Sequence, residues 1–339
     1  MSRYVIVGAG AIGASIAFHF DQEGIEYVLV ARGQQGRYLQ EHPLTLRNPT
    51  GTYRTRLNVA LAADDVELRA DDILVIAVKS QDVEAVAQTW AWRDVVDVSD
   101  STAGSKPAAD CLPVLCLQNG LESERALLRR FARVYSATMQ IPALYTETGH
   151  IVNGSAPHIG IATLGHYPDG CDAVSEEIAH DFRRASFLVQ ETPQIQRWKR
   201  AKLLHNLTNA VDLLDGTTQQ RERLREDLVA EAIAVYDACG WEYADLTADR
   251  AIDVTGFGND PAAGIELGMQ STWQSVQRGS NTTELDFLNG EIVLHGRLTG
   301  TPTPVNSRLR SVLSASIARG EPMKAQAMAS LWPALQAER

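Results

Sequence analysis

The sequence predicts an α/β domain built on a parallel sheet, followed by an all-α domain. Apolar runs such as Asp71–Val78 and Pro113–Leu117 have the pattern of parallel strands buried on both faces. Helix-like stretches separate such runs as far as Glu191–Pro193, and helical periodicity dominates after that point. The predicted domain limits are therefore 1–193 and 194–339.

The first predicted strand, Tyr4–Val7, runs into a glycine-rich turn and then into the helix-like stretch Ala14–Phe20. The residues of the turn are Gly8, Ala9, Gly10, Ala11, Ile12 and Gly13. They match G-x-G-x-x-G, in which the glycines permit a tight turn, the approach of a pyrophosphate and close helix–strand packing. A helix N-terminus adds N–H groups and a positive dipole end for phosphates. The stretch predicts a Rossmann-type dinucleotide-binding domain, and the alternative is a tight turn without a ligand.

The end of the second predicted strand, Glu26–Ala31, indicates which dinucleotide binds. NAD sites place an acidic residue roughly 20 residues beyond the glycines, at the ribose 2′-hydroxyl. No Asp or Glu occurs from Val28 to Gln40, and Arg32 stands at the strand end instead. Its planar guanidinium suits a 2′-phosphate. The sequence therefore favours NADP (NADPH) over NAD, with an ordinary solvated arginine as the alternative.

Composition disfavours several classes of partner and site. A net charge of −11 over 339 residues argues against nucleic acid and anionic membrane surfaces. The sequence shows neither an apolar run of membrane-spanning length nor a signal-peptide pattern. The four cysteines lack C-x-x-C spacing, so we expect reduced, buried thiols in a cytoplasmic protein, and the scattered histidines indicate no metal site.

Two polar residues follow predicted parallel strands at the same edge of the sheet. Lys79 follows Asp71–Val78, and Asn119 follows Pro113–Leu117. Open α/β sheets bind their ligands at the carboxyl ends of their strands, so both residues are candidates for a binding crevice. We expect Lys79 to hold a cofactor phosphate or a substrate carboxylate, and the alternative is that it faces water.

The helical stretch Trp198–Leu214 contains candidate site residues. At about 100° per residue, the predicted buried stripe consists of Leu203, Leu207, Val211 and Leu214, and Lys202, Asn206 and Asn209 border it. Lys199 projects about 60° away from Lys202, toward solvent, and His205 is also expected on the solvated side. A cation and two amides supply what a carbonyl and a carboxylate require, so Lys202, Asn206 and Asn209 are candidate residues of a substrate cleft. The alternative is a helix with a snorkelling lysine.

Two further polar stretches, Ser271–Ser275 and Asn281–Glu291, lie nearer the C-terminus. Glu284 follows Asn281 by three residues, a spacing that also fits a capping box at a helix start. These stretches are therefore candidates for a site only in combination with the others.

Together these stretches resemble the ketopantoate reductase (2-dehydropantoate 2-reductase) family over nearly the whole chain. The matching segments are Gly8–Gly13, Val78–Lys79, Leu117–Gly120, Lys202 with Asn206, Ser271, and Thr283–Gly290. The resemblance implies an N-terminal Rossmann domain, a helical C-terminal domain with a cleft between them, and NADPH-dependent reduction of a 2-oxo acid. It further implies Lys202 as the proton donor, with Asn119, Asn206 and Ser271 around the substrate. Glu284 is implied as a second catalytic residue, which lies with Asn119 near the nicotinamide.

Three differences from the family pattern fall among the substrate-side residues, and none falls in the glycine turn. Asn209 stands one residue earlier than in the best-known members, one extra residue precedes Glu284, and Ser275 replaces a commonly acidic residue. The alternatives are an opine-type or other 2-oxo/2-hydroxy-acid dehydrogenase, or a non-catalytic NADP-binding sensor, which would not need a proton donor. A homodimer is considered as the assembly, although sequence does not fix the oligomeric state.

Overall fold

The computed structural model describes residues 2–96, 105–260, 283–322 and 324–331, which form fifteen strands and ten α-helices in these ranges. The strands are β1 (Arg3–Val7), β2 (Tyr27–Val30), β3 (Leu44–Asn48), β4 (Gly51–Thr55), β5 (Val59–Ala60), β6 (Leu68–Arg69), β7 (Asp72–Ile76), β8 (Asp94–Val96), β9 (Lys106–Pro107), β10 (Pro113–Cys116), β11 (Arg133–Gln140), β12 (Ala143–Glu147), β13 (His150–Asn153), β14 (Gly160–His166) and β15 (Phe187–Glu191). The helices are α1 (Ala11–Gln22), α2 (Gly33–Glu41), α3 (Val83–Ala91), α4 (Ala108–Cys111), α5 (Glu122–Leu128), α6 (Ala173–Arg184), α7 (Ile195–Asn206), α8 (Thr218–Cys239), α9 (Asn289–Thr299) and α10 (Pro304–Ala318).

The chain divides into two compact units. Among the described residues, the first unit comprises the chain up to Gln118, 123–196 and 247–260, and the second comprises 119–122, 197–246 and the residues from 283 onward. Gln190 shows why 247–260 belongs to the first unit: its side-chain amide donates to the Asp249 carbonyl at 3.3 Å and accepts from the Ala251 N–H at 3.0 Å. The limits 1–193 and 194–339 stay a prediction about folding domains.

An eight-stranded sheet in the order β15-β14-β11-β10-β7-β1-β2-β5 forms the centre of the first unit. The six strands from β11 to β5 are parallel, and β14 adds to β11 antiparallel. Neighbouring side chains of β1 enter different cores, because strand side chains alternate between faces: Tyr4 and Ile6 pack with α1 and α6, whereas Val5 and Val7 pack with α3 and α4. The parallel α/β class predicted from the apolar runs is confirmed.

Short apolar pieces alternate with glycine, proline, asparagine and aspartate in residues 33–72, a pattern that predicts a loop or short hairpin. The structure differs from this prediction in part. The hairpin is present as β3 and β4, which pair antiparallel and join β13 and β12 in a four-stranded sheet. Helix α2 was not expected. It begins directly after Arg32 and packs Leu39 into the core. Its sequence consists mainly of glycine and polar residues and therefore lacks the apolar periodicity from which a helix is predicted.

Helices form the second unit within the described ranges. Leu203, Leu207, Val211 and Leu214 are fully buried, as the predicted apolar stripe requires. Helix α7 nevertheless ends at Asn206, and a 3₁₀ segment, Leu207–Leu213, replaces the single long helix that was expected. None of the helices in the described parts of the chain is long and apolar enough to cross a membrane.

All four cysteines are free, but they are not all buried. Cys116 is buried, Cys111 and Cys239 are half-buried, and Cys171 is exposed. The expectation of uniformly buried thiols was wrong, because three of the four lie outside the apolar strand that encloses Cys116.

Candidate active site

The glycine turn between β1 and α1 has the geometry that its sequence predicts. Gly8 has a φ of +115°, which a side chain would strain, and a Cβ there would lie 2.9 Å from the Ala77 backbone. A Cβ on Gly13 would collide with the Gly8 carbonyl oxygen, so this glycine lets α1 pack against the turn. In contrast, a Cβ on Gly10 would meet nothing within 4 Å. The space above Gly10 is open, as a cradle for a ligand must be.

The N-terminus of α1 is available to bind an anion. Gly10 is its N-cap and supplies no side-chain hydrogen bond, and the first turn contains no acidic residue. The first N–H groups of a helix have no partners inside the helix and lie at its positive dipole end. The turn from Gly8 to Gly13 therefore fits the pyrophosphate of a dinucleotide.

The cations expected around this turn differ in exposure. Arg32 is the N-cap of α2, and 79% of its side chain is exposed. Lys79 is half-buried after β7, where its carbonyl accepts from the Asp82 N–H at 2.9 Å and so starts the 3₁₀ turn Ser80–Asp82. Both Arg32 and Lys79 follow parallel strands of the first unit, as predicted.

Two buried glutamines, Gln35 and Gln118, fix the loops at the carboxyl ends of the parallel strands. The sequence analysis did not predict this role for either residue. The Gln35 amide donates to the Ala9 carbonyl at 3.5 Å and accepts from the Gly149 N–H at 2.8 Å, which connects the glycine turn to the β12–β13 turn. The Gln118 amide donates to the Ile76 and Val78 carbonyls at 2.7 and 2.8 Å. A polar residue directly after a buried strand was the available signal for Gln118.

The second unit contains the row of Lys202, Asn206 and Asn209. Lys202 is half-buried near the end of α7, and Asn206 and Asn209 are 3% and 8% exposed. Among the described residues, Asn206 Nδ2 and Asn209 Oδ1 are buried without a hydrogen-bond partner. An unpaired buried amide costs stability, so two of them in one row indicate a place where a polar ligand completes the hydrogen bonds.

Lys199 does not project into solvent as expected, because its side chain is 3% exposed. Helix α7 is therefore covered at Lys199 as well as along its apolar stripe. His205, by comparison, is exposed as expected, although its ring is partly desolvated. This desolvation lowers the pKa of His205, and the positive charge of Lys202 lowers it further. The lowered pKa keeps the His205 ring uncharged at neutral pH.

The segments that contain Asn119 and Glu284 approach each other through a close backbone contact between Gly120 and Phe287 in the second unit. A Cβ on Gly120 would lie 2.5 Å from the Phe287 carbonyl oxygen, so only glycine allows the segment after Asn119 to approach the 3₁₀ turn Glu284–Phe287. Leu121 also packs against the core that contains Leu203 of α7. The structure thus brings the Asn119 segment, the Glu284 turn and α7 together. Glu284 is 6% exposed, and Ser271 lies outside the described residues.

Comparison with known proteins relates both units to one family. The family described as ketopantoate reductase PanE/ApbA matches residues 4–168. The C-terminal domain of the same family, described as ketopantoate reductase PanE/ApbA C terminal, matches residues 196–316. A 2-dehydropantoate 2-reductase of Pyrococcus horikoshii is 24% identical over 94% of this chain and 98% of its own length. The enzyme of the same description from Archaeoglobus fulgidus is 26% identical over 92% of this chain and 97% of its own.

Solved structures show the same fold. A ketopantoate reductase of the PanE/ApbA family from Ralstonia eutropha aligns with a TM-score of 0.71 at 21% identity, over 94% of this chain and 99% of its own. A D-mandelate dehydrogenase, solved with NADH and anilino(oxo)acetate, aligns with a TM-score of 0.73 at 19% identity and the same coverage.

Proposed function

This chain belongs to the ketopantoate reductase family, and from that premise we propose that it is an NADPH-dependent reductase of a 2-oxo acid, either 2-dehydropantoate or a close analogue. The observation that carries the proposal is the row of Lys202, Asn206 and Asn209, in which a cation stands beside two buried amides with unpaired polar atoms. Related 2-dehydropantoate 2-reductases span almost the whole chain, which supports an oxidoreductase acting on 2-oxo acids.

Residues of the first unit would hold the cofactor. The Gly8–Gly13 turn and the uncapped start of α1 would bind its pyrophosphate, and Arg32 would pair with the 2′-phosphate. Lys79 would add a second charge to a phosphate or to the substrate carboxylate. The D-mandelate dehydrogenase of the same fold was solved with NADH, so a nicotinamide dinucleotide is supported, and the choice of NADPH rests on Arg32.

Lys202 would perform the proton transfer. When bound, the reduced nicotinamide supplies the hydride that adds to the substrate carbonyl carbon and leaves negative charge on the carbonyl oxygen. The Lys202 ammonium stabilises this charge and delivers its proton to the oxygen, which gives the 2-hydroxy acid. An ammonium held in a half-buried position favours this step, because electrostatic stabilisation is stronger there than in water.

The asparagines would orient the substrate. Asn206 Nδ2 is a donor suited to a carbonyl or carboxylate oxygen, and Asn209 Oδ1 is an acceptor suited to a hydroxyl. We assign Asn119 and Ser271 to the substrate as well, and Glu284 to the nicotinamide end, on the resemblance to the family. The close packing of the Asn119 segment against the Glu284 turn supports this assignment.

The test is NADPH oxidation against a panel of 2-oxo acids, with and without an amine co-substrate. Turnover of 2-dehydropantoate or a close analogue without the amine would support the proposal. Turnover that requires the amine would identify an opine-type dehydrogenase instead. Tight NADPH binding without turnover on any acid would identify a cofactor sensor.

We further propose a cytoplasmic homodimer. A dimeric ketopantoate reductase from Staphylococcus aureus shares the fold, with a TM-score of 0.67 at 17% identity. Light scattering of the purified chain measures the assembly directly, and the mass of a single chain would reject the dimer.

A further inference from the structure

Arg32 is paired with an acidic residue from a different loop. Its Nη2 lies 3.3 Å from Asp82 Oδ1, and the two side chains are 79% and 37% exposed. Arg32 follows β2, and Asp82 ends the 3₁₀ turn that follows β7. Because β1 lies between these two strands, the ion pair spans the carboxyl end of β1, beside the glycine turn.

We propose that Asp82 is a selectivity residue, which competes with the 2′-phosphate of NADPH for Arg32 and so narrows the preference for NADPH over NADH. This inference rests on the proposed function of the glycine turn and Arg32. Strand β2 lacks the acid that an NAD site places at its end, yet the structure supplies a carboxylate next to that position from the turn after β7. The site thus presents a guanidinium that suits a phosphate beside a carboxylate that suits a hydroxyl.

The weakness of the Arg32–Asp82 ion pair explains why Asp82 reduces the preference for NADPH but does not abolish it. Exposed ion pairs are weak, so a phosphate dianion displaces the carboxylate from Arg32 without preventing binding. The displaced carboxylate nevertheless stays close on its short turn and repels the phosphate. NADH brings no charge to this position, so Asp82 does not weaken its binding and can accept from its 2′-hydroxyl.

Asp82→Asn is a conservative test of the competition. Asp82 is the N-cap residue of α3, but its side chain makes no capping hydrogen bond, and asparagine is an equally good N-cap residue. The matched control is Glu26→Gln, which removes the same charge from another exposed ion pair, between Glu26 and Arg69 at 2.7 Å. Glu26 precedes β2 and therefore lies at the opposite edge of the sheet from Arg32.

The experiment is calorimetric titration of the full-length wild type and both variants with NADP⁺ and with NAD⁺. We expect Asp82→Asn to lower the Kd for NADP⁺ by about 3- to 10-fold without lowering the Kd for NAD⁺, and Glu26→Gln to leave the ratio of the two Kd values unchanged. An unchanged ratio in Asp82→Asn, or an equal shift in both variants, would overturn the inference.

These titrations, together with the turnover assay on 2-oxo acids, separate this inference from the proposed function. If the wild type turns over 2-oxo acids with NADPH but the ratio does not move in Asp82→Asn, only the role of Asp82 fails. If the ratio moves as expected but no 2-oxo acid is reduced, only the proposed reaction fails.

Discussion

Asn209 lies one 3₁₀ turn after Asn206, because the α-helix ends at Asn206 and the 3₁₀ segment begins at Leu207. Residues three apart are eclipsed in a 3₁₀-helix, whereas in an α-helix they are offset by about 60°. The two asparagines therefore share one face although only three residues separate them. Asn209 thus reaches the face of Asn206 because the helix type changes between the two residues.

Replacing Asn209 with leucine should reduce activity without reducing stability. The variant removes a buried, unpaired amide oxygen, so we expect an unchanged or higher Tm. It also removes one hydrogen bond to the substrate, and kcat/KM for the 2-oxo acid should fall about 10- to 100-fold. Thermal unfolding and initial rates check both outcomes.

Asn289→Leu is the contrasting control for Asn209→Leu. The Asn289 side chain donates to the Leu207 carbonyl at 3.2 Å and to Asn306 Oδ1 at 3.0 Å. Its loss leaves buried acceptors unpaired and should destabilise the protein by about 1–3 kcal/mol. A destabilisation of Asn209→Leu as large as that of Asn289→Leu would assign Asn209 a structural role.

Arg32→Asp should abolish the preference for NADPH. A charge-assisted hydrogen bond to phosphate contributes roughly 1.5–3 kcal/mol, so kcat/KM with NADPH should fall by about 10- to 100-fold. With NADH it should hold or rise, because the new carboxylate suits a ribose hydroxyl. Initial rates measured with NADPH and with NADH give the ratio of the two kcat/KM values. A ratio of the two kcat/KM values that is the same in Arg32→Asp as in the unaltered protein would reject the role of Arg32.

His19 should make the folded state sensitive to acid. Burial on α1 lowers its pKa from 6.5 to about 4, and its Nε2 is buried without a partner among the described residues. Between pH 6.5 and pH 4 only the unfolded chain binds the proton, so protonation favours unfolding. The free energy of unfolding is therefore at its full value above about pH 6.5 and decreases as the pH falls toward 4. The expected loss is about 1–2 kcal/mol between about pH 7.5 and pH 5.

Urea unfolding of His19→Leu at both pH values measures this contribution. The variant should lose less stability on acidification than the wild type. His180→Leu, which replaces an exposed histidine on α6, is the control and should behave as the wild type does. Equal losses in the wild type and in His19→Leu would show that His19 does not titrate in this way.

The sequence predicted the parallel α/β class, the glycine turn and the buried stripe from Leu203 to Leu214, because each follows from local spacing. It did not predict the Arg32–Asp82 pair or the contact between Gly120 and Phe287, since both join residues far apart in the chain. The burial of Lys199 was also missed, because helical periodicity gives the direction of a side chain but not how deeply the helix is covered.

Replacement of Lys202 by methionine tests the central claim most directly. The neighbouring Lys199 is buried, so its replacement is not a suitable control. The control is Lys106→Met, which makes the same change at an exposed position. With 2-dehydropantoate and NADPH, we expect kcat to fall about 10²- to 10⁴-fold in Lys202→Met, while its NADPH affinity and the kcat of Lys106→Met stay near wild type. A kcat of Lys202→Met within about 3-fold of wild type would contradict the assignment of Lys202 as the general acid.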